Sequence, residues 1–549
     1  MTSVVTAGGV SVTMRGPVVD EAEAVLDRLV TDGVPASLMA KNAQLWGPEA
    51  VEEASRRLGW LDLPETSRPL LPELAALVER VRADGLDRVV LAGMGGSSLA
   101  PEVITRTAGA ELTVLDTTDP QQVASVVADR LERTVVVVSS KSGGTIETDS
   151  HRRVFEQAFR DAGITGEDLA RRFVVVTDPG SPLEKTAREA GYTVVLADPD
   201  VGGRYSALTA FGLVPSALAG VDVARLLDEA AALVPALHQP YDNPGLALGA
   251  ALGASALGGR DKLVIADHGS GITGFGDWAE QLIAESTGKE GKGILPVVVE
   301  GPDAPGFAEA EDVRRVLLGA RPEDSGLGVS GPLGAQFLLW EYATAVAGRV
   351  LGINPFDQPN VQESKDNTAA LLRGAAEGEA PTVVAGEPAL VVGAVEVHAP
   401  AELLRGATDL TGVLEAVVAA IPEHGYLAVM AYLDRFADAG AERLRPLLAQ
   451  ATERLRKTPA AVTFGWGPRF LHSTGQYHKG GPRNGVFLQI TGESAQDVPV
   501  PGKPYTLRSL QLAQAFGDLR ALRSRGRPAV RLHLRDRAAG VEQLLSALA

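Results

Sequence analysis

VVVVSSKSGGTIET, residues 135–148, is the stretch whose reading decides the fold. Four consecutive valines run into Ser, Lys and Gly, and a polar, helix-compatible segment follows. An unbroken β-branched run without polar alternation is the pattern of a parallel strand covered on both faces. Small hydroxyl residues and glycines after it leave backbone N–H groups free and allow an anion to approach closely. The stretch therefore predicts a phosphate cradle at the carboxyl end of a sheet strand.

Working outward, the same strand-then-helix rhythm recurs. Strands are expected at Arg88–Ala92, Leu112–Leu115, Phe173–Thr177 and Tyr192–Ala197, with helical segments between them. Such alternation implies a doubly wound parallel sheet with its ligands along the carboxyl edge. Residues 222–258 read as helical. A second unit then starts with a strand at Lys262–Ala266 and the Gly-rich loop DHGSGITGFGDW (267–278). It continues through a helix at 276–287, a strand at Ile294–Val299, a helix at 332–347 and a loop at 352–367. A third unit has strands at Tyr426–Tyr432, Ala461–Phe464, Val486–Ile490 and Ala529–Leu534, with a helix at Ala441–Arg456. The domain organisation read from this is a helical arm over 1–70, α/β units over 71–225 and 226–375, and a C-terminal α/β domain over 376–549.

Composition narrows the functions. The chain has 549 residues, enough for several cores. Its 45% apolar and 22% charged residues suit a globular protein. With 51 Lys and Arg against 69 Asp and Glu, the net charge is −18, which argues against nucleic acid or an anionic membrane as the main partner. Absence of cysteine excludes thiolate catalysis and Cys-ligated zinc. The N-terminal residues lack a secretory pattern and apolar runs are short, so no membrane partner and a cytoplasmic location are expected.

Five further motifs carry chemistry. LAGMGGSSLAPEV (91–103) is a Gly-rich turn after a strand; Ser98 replaces the last glycine of a dinucleotide fingerprint, and no Walker lysine follows. It reads equally as a tight turn or, beside the 140–145 loop, as part of a phosphosugar site. GGRYSALT (202–209) aims Arg204 from a close-packed turn, where a guanidinium can clamp an oxyanion or simply face solvent. QLIAESTGK (281–289) puts Gln281 and Glu285 on one helix face; Glu285 is a candidate general base or a solvated carboxylate. GINPFDQPNVQESK (352–365) offers Gln358 and Lys365. FLHSTGQYHKGGP (470–482) holds His472 and His478 with no carboxylate at a metal-binding offset, so no metal site is read.

GMGGSSLAP, SKSGGTIET, GGRYS, QLIAESTGK and GINPFDQPNVQESK, in that order, resemble the motifs of glucose-6-phosphate isomerases over roughly residues 70–370. The resemblance implies two sugar-isomerase (SIS) domains, each an α/β sandwich with a parallel five-stranded sheet, and reversible aldose–ketose isomerisation in glycolysis and gluconeogenesis. It implies Ser97, Ser140, Ser142 and Thr145 as phosphate binders with Lys141 beside them, and Gly95 and Gly96 as further substrate-binding residues. Arg204 resembles the enediolate-stabilising arginine and Glu285 the base, with Gln281 one turn earlier. Gln358 and Lys365 resemble the residues near the phosphate and ring oxygen. No metal or cofactor is implied, and a homodimer is.

Departures are visible. Gly143 and Gly144 replace bulkier residues of the family's SKTFTT, and residues 286–364 lack the family's ring-opening histidine. His478 or His472, reaching back from the C-terminal domain or from a neighbouring subunit, is the expected substitute, with Lys365 assisting. That domain resembles the C-terminal part of bifunctional transaldolase/glucose-6-phosphate isomerases; without a preceding transaldolase domain, no transaldolase activity is expected. Alternatives are a dual phosphoglucose/phosphomannose isomerase and a non-catalytic SIS sugar-phosphate-binding protein.

Overall fold

The computed structural model describes residues 1–373 and 386–549. The valine run forms the strand Thr134–Ser139, every residue buried, at the centre of a five-stranded all-parallel sheet. Its neighbours are Arg88–Gly93, with Thr113–Leu115 outside it, and Phe173–Thr177, with Thr193–Leu196 outside that. Helices cover both faces, so apolar side chains are required on both, as the uninterrupted valines provide.

The second sheet has six strands. Four are parallel: Gly326–Ser330, Val313–Leu318, Lys262–Asp267 and Leu295–Val299. A hairpin of Thr2–Ala7 and Val10–Arg15 adds antiparallel to Gly326–Ser330. The five parallel strands expected here are thus four plus a hairpin, and the expected helical arm begins with that hairpin before its helices. Gly8 and Gly9, both at positive φ, make the tight turn. The two unpredicted parallel strands are disguised. VRRVLL carries two arginines, of which buried Arg314 pairs with Glu21 at 2.7 Å. GLGVS is glycine-rich because a Cβ on Gly328 would meet the Ala320 carbonyl at 2.4 Å.

The third sheet also has six strands, ordered Leu390–Val392, Val395–His398, Ala529–Leu534, Gly485–Gly492, Tyr426–Tyr432 and Ala461–Trp466; the last four are parallel. The domain boundary expected near residue 375 lies outside the described residues. This sheet is not a free appendage. One face packs on its own helices, through residues such as Val413, Leu448 and Leu544. The other joins Val264, Leu295 and Val297 of the second sheet in a shared core. Helix Leu507–Ser524, which sequence reading did not resolve, sends Leu510 and Ala513 into the core of the first sheet and Ala515, Leu519 and Leu522 into that shared core. Among the described residues no helix is long and apolar enough to cross a membrane.

Buried charge fastens the third unit to the first. Glu102, on the helix after the Gly-rich turn, meets Arg469 at 2.6 Å and Arg435 at 2.9 Å, and Arg469 also meets Asp116 at 3.0 Å. Burial acts to raise the Glu102 carboxyl, but the two guanidinium groups more than offset it and hold it well below the ordinary range. A depressed carboxylate stabilises the fold above its unfolded value and stops doing so as pH falls. Glu102→Gln is expected to destabilise the protein at pH 7 by about 3 kcal/mol, because two buried cations lose the carboxylate they share and only Asp116 is left between them. Chemical denaturation at several pH values checks this: the gap from wild type must close as pH drops below about 4.

Candidate active site

The carboxyl edge of the first sheet, helix Phe275–Thr287, the 356–365 segment and His472 line a cavity of about 220 Å³. On one wall lies the 139–145 loop. Ser140 N–H is tied to the Val176 carbonyl at 3.0 Å, and its hydroxyl meets the Thr145 hydroxyl at 3.0 Å. Gly143 adopts φ +69°, and a Cβ there would strike Leu183 at 2.6 Å, so the replacement of a bulkier residue is required by this backbone. Helix Ile146–Asp161 begins here, just past Thr145, with no side-chain cap on its first-turn N–H groups, a favourable place for a phosphate.

Gly95, Gly96 and Ser97 line the adjoining wall, along with Ser140, Ser142 and Thr145. A Cβ on Gly96 would lie 1.8 Å from the Gly203 carbonyl, so this glycine is what lets the GGRYS turn close on the first Gly-rich turn. Gly95, at φ +55°, would likewise meet Gln281 Nε2 at 2.7 Å and the His472 carbonyl at 3.0 Å. Lys141 borders the cavity, yet its ammonium is turned away to Asp178 at 2.5 Å and the Pro199 carbonyl at 3.2 Å.

Opposite stand the groups suited to chemistry. Arg204 is 4% exposed. Its guanidinium donates to Ser286 Oγ at 2.8 Å, Gln358 Oε1 at 2.9 Å, and the Pro355 and Asp357 carbonyls at 2.7 and 3.1 Å; Nη1 also lies 3.2 Å from Glu285 Oε1. Gln281 Nε2 donates to Glu285 Oε2 at 3.0 Å, and Glu285 keeps a small exposed fraction in the cavity. Lys365 borders the cavity from helix Val361–Arg373, which starts inside the expected 352–367 loop.

The two candidate histidines part company. His472 reaches the cavity within this same chain, its Nε2 2.9 Å from Glu147 Oε1. His478 does not: it is 2% exposed and packed among Tyr426, Phe470 and Phe487, with burial pushing its imidazole well down into the neutral form. The helix Gly475–Gly480 turns successive side chains in different directions, and position 478 faces the shared apolar core.

Sequence reading missed Glu147 and Gln514. Glu147 is fully buried in the first turn of the helix after the cradle, and Gln514 Nε2 donates to the same Oε1 at 2.6 Å. Burial acts to raise Glu147, but the facing His472 and its own backbone N–H hold it below the ordinary range. An acidic residue just past an anion cradle was a usable signal, since it repels the expected ligand unless a cation faces it. Gln514 sat in an unremarked helix and offered none. Among the described residues no group of three His, Asp or Glu is placed to hold a metal.

A carboxylate and a buried guanidinium thus stand beside Gly- and hydroxyl-rich turns at the carboxyl edge of a parallel α/β sheet. A family model described as phosphoglucose isomerase matches residues 79–290. The glucose-6-phosphate isomerase of Rubrobacter xylanophilus is 30% identical over 386 residues, covering 57% of this chain and 89% of that one. That of Symbiobacterium thermophilum is 30% identical over 388 residues, covering 57% and 86%. Among solved structures, a hypothetical protein of Thermus thermophilus (TM-score 0.55, 23% identity, 67% of this chain and 99% of that chain) and a glucose-6-phosphate isomerase of Chlamydia trachomatis (0.54, 20%, 67% and 89%) share the fold. This chain belongs to the glucose-6-phosphate isomerase family.

Gly96→Ala is the sharpest test of the wall-to-wall closure. Because its methyl displaces the Gly203 backbone that aims Arg204, turnover is expected to fall about 10²-fold in a steady-state assay.

Proposed function

We propose that the protein interconverts glucose 6-phosphate and fructose 6-phosphate through a cis-enediolate. The observation that carries this reading is the placement of Glu285 beside Arg204, across the cavity from the Ser140–Thr145 loop. The substrate phosphate would sit on the hydroxyls of Ser97, Ser140, Ser142 and Thr145 and on the first-turn amides of helix Ile146–Asp161. That anchors the far end of the sugar and leaves C1 and C2 near Glu285.

Ring opening comes first: O1–H loses its proton while the ring oxygen gains one. His472 supplies the acid/base group, with Glu147 accepting its Nε2 hydrogen bond and fixing the ring orientation. Lys365 lies on the same rim and assists. Glu285 then removes the C2 proton and returns it to C1, while a proton passes from O2 to O1 and the carbonyl appears at C2. The intermediate carries its charge on O1 and O2, where a fixed guanidinium is most effective. A homodimer in the cytoplasm is part of this reading; His472 reaches the cavity from this chain's own C-terminal domain.

Glu285→Gln keeps the shape and removes the base. It is expected to lower turnover by about 10³-fold while fructose 6-phosphate still binds, as calorimetry would measure. Unchanged turnover rejects the assignment. The histidines give a paired test: His472→Ala is expected to lose about 10²-fold in turnover, and His478→Leu, in its apolar cage, to retain most activity. Equal losses would overturn the division of roles.

A further inference from the structure

Lys289 closes the QLIAESTGK motif, immediately after the helix that carries Glu285, and its side chain is 1% exposed. Its Nζ meets three oxygens of one loop: the Asn354 carbonyl at 2.7 Å, the Asp357 carbonyl at 2.6 Å and Asp357 Oδ1 at 2.6 Å. An ammonium has three N–H donors, and all three are spent here. The Asp357 carbonyl also accepts from Arg204, as does the Pro355 carbonyl, and the next residue, Gln358, gives its side-chain oxygen to Arg204. Two cations, Arg204 and Lys289, thus hold one five-residue stretch.

We propose that Lys289 is a positioning residue whose charged ammonium sets the 354–358 loop, and through it Gln358, the Arg204 guanidinium and the start of the Lys365 helix. The inference rests on the isomerase reading above. The charge is essential to the geometry. A neutral amine keeps two donors and gains a lone pair, so one of the three oxygens would face that lone pair and the loop would lose its fit. Burial, and then the nearby Arg204, lower the Lys289 ammonium to about 8, with Asp357 and Glu285 acting in the opposite sense. From the C-terminal domain the neutral Gln476 faces this region, accepting from Asn360 N–H and donating to the Gly288 carbonyl, both at 2.9 Å. The group is therefore charged and the loop held at neutral pH, and the hold is released as pH rises through about 8.

The test is the pH profile of kcat/KM for fructose 6-phosphate, which reports groups of the free enzyme. Wild type is expected to lose about tenfold across an alkaline inflection near 8. Asp357→Asn leaves both carbonyl contacts intact but removes the carboxylate that favours the ammonium, so the inflection must move to lower pH. Lys289→Arg carries a cation that does not titrate, so the inflection must vanish. A residue that merely packs would leave the inflection where it is in Asp357→Asn; that result, or a flat wild-type profile, overturns the proposal. Should Lys289→Arg not fit its buried site, Asp357→Asn decides alone, since that side chain is 41% exposed. Turnover with an unmoved inflection sinks only the role of Lys289; no turnover in wild type at any pH sinks both readings.

Discussion

A guanidinium cannot shed its charge, so burying one forces the surrounding chain to satisfy it. Arg204 is buried, and its partners come from helix Phe275–Thr287, through Ser286 and Glu285, and from the 355–358 loop. These segments are far apart in sequence. Meeting one cation's demand therefore assembles the turn of the first sheet, the helix of the second and the loop after it into one wall. The same cation remains beside Glu285, where the proposed isomerisation would develop negative charge. The close approach of Gly96 to Gly203 belongs to this constraint, because Arg204 reaches its partners only if the two turns touch.

The C-terminal domain completes that wall. Gln281, one turn before Glu285, donates to the His472 carbonyl at 2.8 Å. Gln476 bridges the end of helix Phe275–Thr287 and the loop bearing Gln358, and Tyr477 packs so closely that Gly288 has no room for a Cβ. Arg469 and Arg435 fasten the same region to Glu102. Catalysis by positioned groups is sensitive to displacements of about 1 Å, and a domain sharing cores with both sheets keeps His472 within that tolerance.

Local pattern made most of the fold legible. The valine run, the strands at Phe173–Thr177, Tyr426–Tyr432 and Ala529–Leu534, and the Gly-rich turns follow from periodicity and turn chemistry, which operate within a few residues. Strands that broke the local rule escaped: Val313–Leu318 buries an arginine paired with Glu21, and Gly326–Ser330 is glycine-rich because another backbone presses on it. The hairpin Thr2–Ala7 and Val10–Arg15 completes a sheet whose other strands lie far along the chain. No local signal carries such a pairing.

For the site, the sequence by itself determined which residue types stand on which turn: hydroxyls and glycines after a buried strand, an arginine between glycines and aromatics, and a glutamate four residues beyond a glutamine. Only the tertiary structure decided how these are used. It turned the Lys141 ammonium toward Asp178, set His472 at the cavity and His478 in an apolar core, and placed Glu147, itself held by Gln514, beside His472. The physical reason is that a side chain's role depends on burial and on the charge facing it. Both are properties of segments brought together by folding, which no single stretch of sequence contains.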